Sequence, residues 1–413
     1  MALRSGIDRI ALLPEKDLPT MSTLSACPSC GSTQVTTFYE VANVPVHSVL
    51  LMPSREEARR YPRGKIKLGF CALCGFIYNT LFDPKVHEYS AHCEETQGFS
   101  ETFNSFSHKL ATYLVERYDL HEKNILEIGC GKGEFLTLLC EMGHNRGIGF
   151  DPGYLSERIS SPAQDRLTFI KDFYTEKYAD YHADFICCKM TLEHIDRVAD
   201  FVKIVQHSTK NYPETTIFFQ LPDVTRILYD LAFWDVYYEH CSYFSPGSLA
   251  RLFRQEQFDV LQLWRDYDDQ YIMIEAKPAQ GKNTTFPELE RELGYLGEGV
   301  RNFTQNASQT LATWKNTIQD LHQKGKRTVL WGSGSKAVAF LTTLGIEEEI
   351  QYAVDINPHR HGTFLAGTGQ AIVAPQFLQE YQPDTVIIMN PIYHAEIKRD
   401  LDSLGLNPTL MLV

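Results

Sequence analysis

The chain has 413 residues, more than one hydrophobic core usually organises, so two or three domains are expected. Its 43% hydrophobic and 22% charged residues are ordinary globular composition, and no apolar run approaches the roughly 18 residues of a membrane span. A formal net charge of -13 argues against a general nucleic-acid surface and leaves a small molecule as the expected partner.

The first twenty residues mix Arg4, Asp8, Arg9, Glu15 and Lys16 around a brief apolar patch. That pattern reads as a flexible tail over 1–22 without a signal peptide, hence a cytoplasmic address. Next, "CPSC" at 27–30 and "CALC" at 71–74 form two C-x-x-C knuckles. Two residues between cysteines let both sulfurs face one ion, so Cys27, Cys30, Cys71 and Cys74 predict a closed tetrahedral zinc site in a module over 23–80. Four thiolates leave no position for water, which makes the metal structural. Gly31 and Gly75 follow the knuckles, where a tight turn suits a residue tolerant of positive φ.

Over 81–278 helix-like and strand-like segments alternate. Strand candidates are 124–128, 146–150, 167–170, 183–188 and 215–221, the pattern of a doubly wound parallel α/β sheet. Ser245 and Pro246 open a helix, and "FDVLQLWRDYDDQYIMIEA" reads as a hairpin that ends the sheet with an antiparallel strand. Residues 279–325 read as a linker and connecting helix, with apolar spacing at Leu296, Val300, Phe303, Leu311, Trp314, Ile318 and Leu321. A second, smaller Rossmann-like unit is expected over 326–413.

"ILEIGCGKGEFL" puts Glu127, Gly129, Gly131 and Gly133 where a strand turns into a helix. The dinucleotide fingerprint G-x-G-x-x-G fails from Gly129 and from Gly131, because Glu134 and Leu136 occupy the third position. The G-x-G-x-G spacing with an acid two residues ahead resembles instead the first motif of class I S-adenosylmethionine-dependent methyltransferases. Asp151, twenty residues beyond Gly131, is placed to accept hydrogen bonds from ribose hydroxyls. The resemblance implies an adenine contact for Asp172 at the next strand end.

With "CPSC", "CALC", "LEIGCGKGEFL", "TLEHI", "YYEHCSYFS" and "MNPIY" in one order, nearly the whole chain after residue 23 resembles a bacterial family of three-part sugar C-methyltransferases. Those enzymes methylate nucleotide-linked 4-keto-deoxysugars. Methylation at carbon needs a base that removes a proton beside a ketone while the ketone oxygen is stabilised as an enolate. The resemblance implies His240 as that base, Tyr237 as donor to the enolate oxygen, and Glu239 as the group that orients the imidazole or binds a sugar hydroxyl. It also implies His194, at the end of the fourth strand, as a group that holds or protonates the substrate. The segment before the cofactor loop departs from the family by lacking a second placeable tyrosine, while Tyr89 remains to face the sugar.

"WGSGSKA" gives Gly332, Gly334 and Ala337 in a true G-x-G-x-x-A register, with Asp355 twenty-one residues after Gly334. An NAD-binding oxidoreductase is therefore a rival reading, as are a methyltransferase with another small-molecule acceptor and a catalytically silent scaffold. In the resembling family this unit closes over the nucleotide-linked substrate. Lys336 and the loop amides would then receive a diphosphate at the helix start, with Asn390 and Tyr393 facing the cleft. The sequence carries no sign of oligomeric state.

Overall fold

The computed structural model describes residues 26–86, 93–281 and 286–413, so the tail over 1–22 and Tyr89 lie outside the described residues. After the first knuckle come strand β1 (Val35–Pro45), helix α1 (Arg55–Arg60), β2 (Arg63–Cys71) and β3 (Ile77–Asn79). β1 and β2 pair antiparallel from Val35↔Cys71 to Pro45↔Arg63, and β2 then pairs antiparallel with β3. Gly31 and Gly75 both take positive φ, +74° and +77°, as the knuckle turns require.

Helix α2 (Glu101–Tyr118), capped by the Ser100 hydroxyl on the Phe103 N–H, leads into the central unit. There follow β4 (Asn124–Ile128), α3 (Glu134–Gly143), β5 (Arg146–Phe150), β6 (Leu167–Ile170), β7 (Phe185–Lys189), α4 (Val198–Thr209), β8 (Thr216–Pro222), α5 (Val224–Asp230) and β9 (Ser242–Tyr243). After these come α6 (Pro246–Gln255), β10 (Phe258–Asp266) and β11 (Tyr271–Pro278). Ser245 and Ser248 close a capping box at the start of α6. The seven-stranded sheet runs β10-β11-β8-β7-β4-β5-β6; β4 to β8 pair parallel, and β11 runs antiparallel to both its neighbours. This is the doubly wound sheet with a terminal antiparallel hairpin that the sequence pattern predicts.

Successive side chains alternate between faces, and the central strands bury both of them under helices. Ile125, Phe185, Phe218 and Met273 pack with α2 and α3, whereas Leu126, Ile186, Ile217 and Ile274 pack with α4 and α6. Full burial of each such side chain contributes about 1.5–3 kcal/mol.

Helix α7 (Leu293–Gln323) buries Leu296, Val300, Phe303 and Ile318 and leads to the last unit. That unit comprises β12 (Thr328–Trp331), α8 (Ser335–Leu344), β13 (Tyr352–Val354), β14 (Ala371–Val373), the single turn α9 (Leu378–Tyr381), β15 (Thr385–Ile388), α10 (His394–Ser403) and β16 (Thr409–Leu412). Its sheet, β14-β13-β12-β15-β16, is parallel throughout.

One strand breaks the apparent division of the chain. β9 lies within the central unit in sequence, yet it pairs with β3, Ile77↔Tyr243 and Tyr78↔Ser242, as the fourth strand of the N-terminal sheet. The cysteine module therefore grips the stretch that carries Tyr237 and His240.

Candidate active site

A cavity of about 1010 Å³ opens where the three units meet, with Gly129 and Gly131, Tyr237 and His240, and Gly334 and Lys336 in its wall. The turn after β4 is folded by the Gly129 and Cys130 N–H groups, which donate to the Phe150 carbonyl at 2.8 and 3.1 Å. Gly129 and Gly131 have φ +69° and +54°, conformations that favour glycine. A Cβ on Gly129 would lie 2.0 Å from Thr191 Oγ1, and one on Gly131 would lie 3.2 Å from Glu95 Oε1. Gly133 differs. A Cβ there would strike the Phe169 ring at 2.5 Å, so it serves helix packing behind the turn rather than the cavity wall.

The acids around this turn are partly engaged. Glu127 Oε2 accepts the Leu136 N–H at 3.0 Å; burial pushes its carboxyl up, and the Lys189 ammonium opposes the shift. Asp151 accepts from Gly131 N at 2.9 Å and Gly153 N at 2.7 Å, which binds the glycine turn to the end of β5. Asp172 reaches the same cavity but is held by Lys177 at 2.5 Å and by the Tyr178 hydroxyl at 2.8 Å.

On the opposite wall His240 is 6% exposed, and its Nε2 lies 3.0 Å from the Tyr237 hydroxyl. The His194 ring stands nearly perpendicular to it, centroids 4.8 Å apart. Burial, then His194 and Lys336, hold the His240 imidazole well below its ordinary range, so it is neutral. His194 Nδ1 donates to the Glu239 carbonyl at 3.0 Å, which leaves Nε2 as the acceptor nitrogen in the neutral ring.

Glu239 corrects the sequence reading. Its carboxylate is bound by His47 Nδ1 at 3.1 Å and by the Ser48 hydroxyl rather than by the His240 imidazole. These partners keep it below the usual carboxylate range even though burial alone would raise it. These contacts tie the loop to the N-terminal module, where the Ser48 and Ser335 hydroxyls also lie 2.7 Å apart. The same loop is fixed by Asn79 N–H on the Cys241 carbonyl at 2.9 Å, Asp83 N–H on the Tyr238 hydroxyl at 3.0 Å, and the Ser242 hydroxyl on the Ile195 carbonyl at 2.6 Å.

The third wall comes from the C-terminal unit. Lys336 Nζ lies 3.0 Å from Asp235, which Arg226 also approaches at 3.4 Å. Asn390 and Gln270 exchange amide hydrogen bonds at 3.0 and 3.1 Å, and Tyr393 accepts from the Tyr267 hydroxyl at 2.6 Å while donating to Gln97 at 2.8 Å. Both residues line the cavity, as the sequence reading expects, and their polar groups also tie the two α/β units together. Asp355 is spent on its own loop, accepting from Ser333 N at 3.0 Å and Asn357 N at 2.9 Å.

Residues 99–263 match a family described as a methyltransferase domain, and residues 275–406 match one described as a C-methyltransferase C-terminal domain. The C-methyltransferase NovU of Streptomyces niveus is 26% identical over 306 residues, covering 70% of this chain and 71% of NovU. The chain is an S-adenosylmethionine-dependent C-methyltransferase. Both domain matches favour the methyltransferase reading over the oxidoreductase and scaffold readings. Among solved structures it is similar to magnesium protoporphyrin IX methyltransferase from Synechocystis PCC 6803, at 13% identity over 43% of this chain and 84% of that one, TM-score 0.33. A protein from Pyrococcus horikoshii OT3 is 16% identical over 44% and 94% of the two chains, TM-score 0.35.

In this methyltransferase the four knuckle thiols converge, with Cys27 and Cys74 Sγ 3.6 Å apart, Cys30 and Cys71 Sγ 3.7 Å apart, and all four within 4.8 Å of one another. Among the described residues no helix is long and apolar enough to cross a membrane. The sequence reading missed His47 and Ser48, which bear no motif; Asp235 and Glu193 stood inside or beside quoted motifs without a role.

Proposed function

We propose that this C-methyltransferase acts on a carbon next to the ketone of a nucleotide-linked 4-keto-deoxysugar, through an enolate raised by His240. The observation that carries the reading is the Tyr237–His240 pair, 3.0 Å apart, on the wall of the cavity that also contains the glycine turn. Methylation of oxygen would need no carbon base with a hydroxyl donor beside it. His240 is kept neutral and so accepts a proton at cytoplasmic pH. As the proton leaves carbon, the Tyr237 hydroxyl rotates from Nε2 to the oxygen where charge develops.

The residues present fit the methyl donor. Positive-φ glycines let the turn fold tightly at the cavity wall, with Gly129 packed on Thr191, and Asp151 shapes it by holding the Gly131 N–H. Bound S-adenosylmethionine supplies an electrophilic methyl group on sulfur. Across the cavity, Lys336, Arg226 and the start of the ten-residue α8 supply positive potential beside Asp235, the chemistry that a diphosphate seeks.

The four knuckle thiols fit structural zinc, since Zn–S bonds of about 2.3 Å place tetrahedral sulfurs about 3.8 Å apart. Unbridged cysteines throughout suit a reducing, cytoplasmic setting.

Incubation with labelled methyl donor and a panel of nucleotide 4-ketosugars, read by mass spectrometry, tests the reading. A product that resists mild hydrolysis and lacks one C–H supports it; label on oxygen, or no 4-ketosugar accepted, removes it.

A further inference from the structure

We infer that Glu193 is the terminal proton acceptor of methyl transfer, taking from His240 the proton that His240 removes from the substrate carbon. The inference rests on the base role of His240. Glu193 lies in the single turn Leu192–His194 after β7, is 2% exposed, and reaches the cavity wall. Neither of its carboxylate oxygens has a hydrogen-bond partner. One such atom of Glu193 and one ring nitrogen each of His194 and His240 all lie within 4.8 Å of one another. That separation is one bridging water, or one turn of a side chain, from a hydrogen bond.

A buried carboxyl without partners is costly and calls for an explanation. Proton abstraction provides one. His240 sits in apolar surroundings next to His194 and Lys336, so the imidazolium it forms is disfavoured and must pass its proton on. His194 is a poor sink because burial lowers its basicity as well. Burial acts the other way on Glu193 and pushes its carboxyl up to about 8, so the proton moves downhill from the imidazole.

The balance closes without a further reagent. The C–H electron pair stays on carbon as the enolate, the proton passes to His240 and then to a Glu193 oxygen, and the carbon takes the methyl group while sulfur keeps the pair of the broken bond. Glu193 returns its proton to water after product leaves. The titratable groups that face it are Cys188 from β7, His194 from its own turn, Tyr237, His240 and Cys241 from the aromatic loop, and Tyr271 from β11. Lys336 stands beyond His240.

The test compares the wild type, Glu193→Gln and His240→Ala, with a thymidine-diphosphate 4-keto-6-deoxyhexose as probe. Deuterium exchange at the substrate carbon is followed with S-adenosylhomocysteine in place of the methyl donor, so that proton removal is read apart from transfer. Glu193→Gln should bind S-adenosylhomocysteine as the wild type does and lose exchange and turnover by roughly 100-fold or more. The acceptor must be ionised, so wild-type exchange should rise with pH through about 8 and then level, and the variant should lose that limb. Wild-type rates and profile in Glu193→Gln, with His240→Ala inactive, overturn the Glu193 inference alone. Full exchange in His240→Ala overturns the base reading beneath it. If Glu193→Gln does not fold, the wild-type profile decides: a limb near pH 8 supports the inference, and a profile whose only rising limb lies below the ordinary histidine range of about 6.5 overturns it.

Discussion

Tyr237 and His240 act as a unit: hydroxyl and Nε2 are 3.0 Å apart, the rings are 4.1 Å apart, and both groups face one cavity. His240→Ala should keep S-adenosylhomocysteine binding while turnover falls roughly 100- to 10,000-fold. Tyr237→Phe removes the donor proposed for the enolate oxygen and should cost about 100- to 1,000-fold. The double variant should be little worse than His240→Ala, because residues that act together do not add. Calorimetry and single-turnover assays with labelled methyl donor measure these effects; an additive double variant would separate the two roles.

The pH dependence follows from the sign of the His240 shift. Its protonated form is the inactive one, and burial lowers its basicity, so the neutral base persists as pH falls through and below 6.5. The His240 limb of kcat/KM should therefore lie below 6.5, apart from any limb contributed near 8 by Glu193. A pH series across both regions checks it. Replacing Lys336 by Met removes one of the charges that disfavours the imidazolium, and should move the lower limb upward.

The strands over 124–128, 146–150 and 167–170 were legible to the residue because each is a short, largely apolar run bounded by turn formers. The glycine turn was legible because its φ values admit little else. What escaped were contacts between distant residues. Glu239 and His47 are 192 positions apart, and nothing local distinguishes a glutamate that orients an imidazole from one that clamps a loop. Asn390 and Tyr393 do face the cleft, but nothing local shows that Gln270 and Tyr267 on the other unit also engage their polar groups. A two-residue strand such as β9 has no period to read, and its partner β3 is more than 160 residues upstream.

Gly129 offers a graded test of the donor cradle. Gly129→Ala meets both a φ of +69° and Thr191 Oγ1 at 2.0 Å, whereas Gly325→Ala, at φ +67°, meets nothing within 4 Å. Both should lose about 1–2 kcal/mol of stability from the backbone conformation. Only Gly129→Ala should also weaken S-adenosylhomocysteine binding, by roughly tenfold or more for each 1.4 kcal/mol of displaced contact. Equal affinities in the two variants would show that the turn does not touch the donor.

The cysteine module should govern catalysis from a distance. Cys71 ends β2, its N–H donates to the Phe76 carbonyl at 2.9 Å, and β3 begins one residue later to pair with β9, two positions beyond His240. With zinc held by the four thiols as proposed, loss of one thiolate should release it and loosen the fold it supports. In Cys71→Ser the β3 edge loses its anchor, so the loop bearing Tyr237 and His240 should loosen while the glycine turn, built on β4 and β5, stays formed. The expected result is loss of bound metal by elemental analysis, turnover down with the loop, and S-adenosylhomocysteine binding retained. Metal-free Cys71→Ser with wild-type turnover would show that the N-terminal sheet holds the loop without its ion. Loss of cofactor binding together with turnover would show instead that the module supports the whole central sheet.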